Sequence, residues 1–143
     1  MSDALLVLRK LTLLGEHVQR ARRRRPTSAE RFSADVDLQD ATAMSLLVAT
    51  QEAVDIALHI AADEGWGVPP SYAEAFELLA SRGVVDAALA RDLRGVVAMR
   101  NRIAHGYASG DVERLWQELP GGLGALERFA ADVARFLGSS SGG

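Results

Sequence analysis

Apolar residues recur along the chain at three- and four-residue intervals, and no polar/apolar alternation persists over strand length, so the pattern predicts an all-α protein. Over residues 3–25, Leu5, Leu8, Leu11 or Thr12, and Val18 fall at helical spacing, with Ser2 or Asp3 placed to cap the start and Arg25-Pro26 to end it. Residues 27–35 are polar and follow neither period, which predicts a loop. From Val36 or Asp37 to about Glu64 the run of Met44, Leu47, Val48, Val54, Leu58 and Ala61 meets no glycine or proline, and predicts the longest helix. Leu46, Ile56 and Ile60 give that helix a further apolar side, more than one contact face of a small bundle uses; a second helix partner, such as another subunit, would account for it.

Gly65-Trp66-Gly67-Val68-Pro69-Pro70 interrupts the periodicity, and Ser71 with Glu74 three residues on reads as a capping box opening a short helix over 72–82. Gly83 ends it, and Leu89, Leu93, Val96, Val97 and Ile103 carry another helix over 84–106. Residues 111–118 amount to one or two turns, after which Pro120 and three glycines separate them from a last helix over 125–137. The expected architecture is an up-and-down bundle of four main helices plus the short one, forming a domain over 1–137 with a flexible tail over 138–143.

At 143 residues, 48% hydrophobic and 24% charged, the chain has the composition of a single globular domain. No uninterrupted apolar run approaches the roughly 18 to 20 residues that span a bilayer, and the N-terminus lacks the zones of a signal peptide, so the expected location is the cytoplasm, with no membrane. The absence of cysteine removes disulfides and thiolate metal sites, and three scattered histidines do not make a zinc cluster; chemistry without metal or cofactor is expected. A formal charge of -3 excludes coating of nucleic acid by net charge, so any RNA contact must be local.

The densest polar cluster is Arg100-Asn101-Arg102-Ile103-Ala104-His105-Gly106-Tyr107, at the predicted end of a helix. Asn101 and His105 share one helical face, whereas Arg100 is rotated from His105 by about 140°. A bend at Gly106, or a two-fold partner bringing a second cluster opposite the first, would set imidazole and guanidinium around one ligand. Those groups suit phosphodiester chemistry: a histidine titrating near neutrality can take the proton of a ribose 2′-hydroxyl while arginine stabilises charge on the phosphoryl oxygens. The plainer reading is that His105, before a glycine, caps the last carbonyls of its helix.

Arg100 to Tyr107 fits R-x(4)-H-x-Y. Together with Asp40, Glu52, Asp55, His59, then Pro69 or Pro70, Ser71, Tyr72, Glu74 and Phe76 upstream, it resembles the HepT-type toxins of the HEPN superfamily over nearly the whole chain. The resemblance implies a helical two-fold homodimer, a metal-independent ribonuclease toxin partnered by a minimal nucleotidyltransferase (MNT) antitoxin. It assigns RNA cleavage to Arg100, binding phosphate, and His105, moving protons. It also makes Tyr107 the hydroxyl that the transferase modifies with AMP. A non-catalytic HEPN module binding nucleotide, RNA or the transferase would keep the same fold without turnover.

Asn101 is an auxiliary candidate, orienting Arg100 or the imidazole, or making only local hydrogen bonds. Arg22, Arg23, Arg24 and Arg25, with Arg102, could contact an RNA backbone; arginines in a last helical turn equally complement the helix dipole. Glu52 and Asp55 could hold Arg100 or Arg102 across the bundle, or form ordinary ion pairs. His17 and His59 have no partner at metal-ligand spacing. Trp66, Tyr72, Phe76, Trp116, Phe129 and Phe136 are spread over several helices and read mainly as core rather than as base-stacking platforms.

Overall fold

The computed structural model describes residues 4–106 and 109–141. These form six α-helices: α1 Ala4–Arg24, α2 Ala29–Ser33, α3 Val36–Asp63, α4 Tyr72–Ser81, α5 Ala87–Ala104 and α6 Ser109–Ser141. No strand occurs among the described residues. The four long helices α1, α3, α5 and α6 make the bundle, and α3 touches all five others. Leu46, Ile56 and Ile60 of α3 are fully buried within this single chain, so the apolar side that suggested a second subunit is consumed internally. By length and composition alone α3 is long and apolar enough to cross a membrane. Its central place among five helices accounts for an all-round apolar surface in another way.

Side chains fix the helix starts, at Ser71 as the sequence suggests and also at Asp35 and Asp86. The Asp35 carboxylate accepts the Leu38 N–H at 3.0 Å and the Asp86 carboxylate that of Leu89 at 2.7 Å. Ser71 Oγ accepts the Glu74 N–H at 3.2 Å and donates to the Glu74 carboxylate at 3.0 Å. Each such cap is worth about 1 kcal/mol. Asp86 sets the start of α5 at Ala87, three residues later than the spacing predicts, and Val84 and Val85 enter the core from the preceding turn. Phe76 meets Phe129 edge to face, ring centroids 5.4 Å apart, and ties α4 to α6.

Four expectations need correction. Residues 27–35 contain α2, whose N-cap is Ser28 and whose Phe32 is fully buried; five residues are too few to display a period. Gln39 donates to the Phe32 and Ser33 carbonyls at 2.8 and 3.1 Å, satisfying the end of that short helix. On α1 the core stripe is Val7, Leu14, Val18 and Ala21, whereas Leu5 and Leu8 are about half exposed (59% and 49%). The longest helix is α6, with 33 residues against 28 for α3, because α6 does not break at Pro120. It also continues to Ser141, so the expected tail at 138 begins as helix.

Continuity through Pro120 has a local cause. Proline has no N–H to offer the carbonyl four residues earlier, that of Trp116. The Arg25 Nε–H reaches that carbonyl at 3.0 Å, the guanidinium lies 4.0 Å from the Trp116 ring centroid, and the indole N–H donates to the Pro26 carbonyl at 2.8 Å. The chain following α1 therefore supplies the hydrogen bond that α6 lacks.

Candidate active site

Arg100 to Ala104 form the last turn of α5, and His105 is its C-cap residue. The His105 N–H bonds the Asn101 carbonyl at 3.1 Å, and Gly106 leaves the helix with φ 80°, its N–H on the Ile103 carbonyl at 3.1 Å. That left-handed step favours glycine and turns the chain out immediately after His105, whose side chain is exposed at the helix end. Arg100, half-buried one turn earlier, faces α4: its guanidinium carbon lies 5.9 Å from the Tyr72 ring centroid, and Nη1 donates to Asn101 Oδ1 at 3.3 Å. Asn101 thus contacts Arg100 through its side chain and His105 through its carbonyl.

Arg102 points elsewhere. Two residues along a helix it is turned by about 200° from Arg100 and faces α6, where it pairs with Glu118, which also holds Arg114 at 3.0 Å. Among the described residues no hydrogen bond or ion pair joins Arg100 to His105, in keeping with their angular separation on one helix. Tyr107 lies outside the described residues. No group of three or more His, Asp or Glu is gathered as a metal ion would need, among the described residues.

The arginine run of α1 is largely committed to the bundle. Arg22 forms a two-pronged pair with Glu127 of α6, one arm at 2.7 Å; the hydrogen bond from Arg22 holds the Glu127 carboxyl below its ordinary value, against an opposing effect of burial. Arg24 donates to Ser45 at 3.3 Å, and Arg25 is the clamp on Trp116. Arg20 and Arg23 are exposed. Glu52 and Asp55 hold Lys10 of α1, at 3.4 and 3.6 Å, rather than Arg100 or Arg102. His59 lies 3.9 Å from Asp63 one turn on. Phe76 and Phe129 are core residues, and Trp66 and Phe136 pack on each other with centroids 6.1 Å apart.

The sequence reading missed a groove of about 530 Å³ between α5 and α6, floored by Gly95, Val96, Met99 and Gly122 and reaching Arg102 at the motif end. Its signal was present: Arg91, Gly95, Ala98 and Arg102 lie on one face of a helix, at three- and four-residue steps.

The family model described as HepT-like, "Ribonuclease HepT-like", matches residues 7–133. The mRNA nuclease HepT of Shewanella oneidensis is 33% identical over 76 residues, which make up 53% of this chain and 57% of that protein. The match therefore spans little more than half the length of that curated relative. A tri-AMPylated Shewanella oneidensis HEPN toxin solved in complex with MNT antitoxin is similar at TM-score 0.79 and 25% identity, with 94% of this chain and 99% of that one covered. A mutant MntA–HpeT toxin–antitoxin structure gives TM-score 0.82 at 23% identity, covering 90% and 97% of the two chains. YutE from Bacillus subtilis, a cytosolic protein of unknown function, gives 0.79 at 16%, covering 99% and 95%. The last two establish a shared fold. With the family model spanning most of its length, and its helices arranged as in HEPN toxins, this chain belongs to the HepT-like ribonuclease family.

Proposed function

We propose that this protein is the toxin of a toxin–antitoxin pair, a cytoplasmic endoribonuclease that works without a metal ion as a two-fold homodimer. In this reading an MNT-type nucleotidyltransferase antitoxin silences it by attaching AMP to Tyr107. The observation that carries the reading is the placement of Arg100 and His105, with R-x(4)-H-x-Y intact in sequence, at the exposed end of α5 in a HepT-like chain. The relative named as an mRNA nuclease and the AMPylated toxin bound to its antitoxin support it.

The chemistry follows from the groups. His105 takes the proton of a ribose 2′-hydroxyl, the 2′-oxygen bonds to phosphorus, and the bond from phosphorus to the 5′-oxygen breaks. The 5′-oxygen leaves with a proton from an imidazolium, supplied by His105 of the partner subunit, and the products are a 2′,3′-cyclic phosphate and a 5′-hydroxyl. The Arg100 guanidinium spreads two N–H donors over the non-bridging oxygens as their charge grows. Asn101 holds Arg100 in position. AMP on Tyr107, two residues beyond His105, adds bulk and a phosphate charge that competes with substrate for Arg100.

A growth assay tests this reading. Induced expression of the wild type without its antitoxin arrests growth, and His105→Ala or Arg100→Ala abolishes the arrest at equal protein level. Arrest by the His105→Ala protein would contradict it and favour a binding module that acts by sequestration.

A further inference from the structure

We infer that the α5–α6 groove is a second RNA contact, a track that holds the single-stranded substrate beside the cleavage site; this rests on the ribonuclease reading above. The groove opens because Gly95 on α5 and Gly121 on α6 place no side chains into the space between the two helices, whereas Gly122 lets Met99 pack close against α6 beneath it. An ion pair crosses it at each end: Arg102 to Glu118 beside the motif, and Arg128 to Asp92 at 2.6 Å at the far end. From Arg91 to Arg102 the α5 rim runs about 16 Å, several nucleotides' worth of contact.

Charge complementarity selects the occupant. Four arginines (91, 102, 114 and 128) line the groove against two carboxylates, Asp92 and Glu118, so it is locally cationic on a protein whose net charge is -3. Arg91 has no ion-pair partner among the described residues. Arg128 and Asp92 are each about half exposed, so their pairing is weak and exchanges readily for a phosphate, which guanidinium binds through two parallel N–H donors. Val96 and Met99 beneath the groove are only 2% and 4% exposed, so the contact falls to the rim arginines, which address the phosphates of the strand. Arg102 closes the groove at the end of α5 where His105 is exposed, while Arg100 faces α4 on the other side of the helix, so a strand leaving the groove runs out beside His105.

The test measures binding of a fluorescent single-stranded RNA 12-mer to the intact His105→Ala protein, which cannot consume it, across a salt series. Adding Arg91→Glu and Arg128→Glu should weaken binding at least tenfold and flatten the dependence of log affinity on log salt by about one unit or more. The milder pair Arg91→Gln and Arg128→Gln should give a smaller loss in the same direction, with the circular dichroism spectrum of the parent. Unchanged affinity and slope would overturn the proposal. Dissociation of the dimer by the same substitutions, seen in sedimentation, would also overturn it, because the groove would then be an interface between copies. Cleavage of the same 12-mer by the wild type is read in parallel. If it is cut while groove variants bind normally, the track fails alone; if it is never cut but bound through the groove, the ribonuclease reading fails instead.

Discussion

The Arg25 guanidinium donates its Nε hydrogen to the Trp116 carbonyl at 3.0 Å, the one acceptor that Pro120 leaves without its helical partner. A residue next to α1 thus repairs α6, and an arginine that by sequence could face RNA is instead folded over an indole.

This relationship predicts a coupled pair of substitutions. Arg25→Ala should destabilise the protein by about 1 to 3 kcal/mol, since it removes a charge-assisted hydrogen bond and a cation–π contact together. Pro120→Ala restores an N–H for the Trp116 carbonyl, so it should recover more stability in the Arg25→Ala background than in the wild type. Urea unfolding of the four proteins reads the coupling; strictly additive effects would contradict it.

Two glycines should respond in opposite directions. Gly121 sits within α6 with open space around an added Cβ, and Gly121→Ala should raise stability by about 1 kcal/mol. Gly106 has φ 80° at the end of α5, and Gly106→Ala should cost about 1 kcal/mol and disturb the exit of the chain after His105. Thermal melts of the two variants are the measurement.

The Arg22–Glu127 pair links α1 to α6 in a pH-dependent way. The carboxyl is held below its ordinary value of 4.5, first by the Arg22 hydrogen bond, so its stabilisation is complete above that value and is lost as the pH falls through the lowered folded value. Both side chains are about 40% exposed, which limits the effect to under about 1 kcal/mol. In urea melts the wild type should exceed Glu127→Gln by this margin at pH 7 and converge with it in acid. A constant gap would show that the lost contact is not ionic.

Much of the fold is legible from short-range signals. Ser71 stands before an apolar period and does cap its helix, and Gly106 ends α5 with the backbone angle its lack of a side chain permits, whereas the caps at Asp35 and Asp86 are not read from the sequence. The failures share a cause in tertiary structure. Pro120 signals a break, but the rescue comes from Arg25, some ninety residues earlier, which no local rule connects to it. In α1 leucines fill several faces, so spacing could not select Val7 and Leu14 over Leu5 and Leu8. Lys10, rather than an arginine of the motif, answers Glu52 and Asp55 because α1 and not α5 runs beside that stretch of α3. At the candidate site, residue identities were readable from the motif, whereas the opposite facing of Arg100 toward Tyr72 and Arg102 toward Glu118 needed the helix and both of its neighbours.

Incubating purified, unmodified protein with total cellular RNA in excess chelator, beside His105→Ala, and identifying the product ends separates metal-free cleavage from sequestration. The wild type alone should cleave, leaving 2′,3′-cyclic phosphate and 5′-hydroxyl ends. Equal cleavage by His105→Ala, or none by a folded wild-type dimer, would contradict metal-free catalysis by His105.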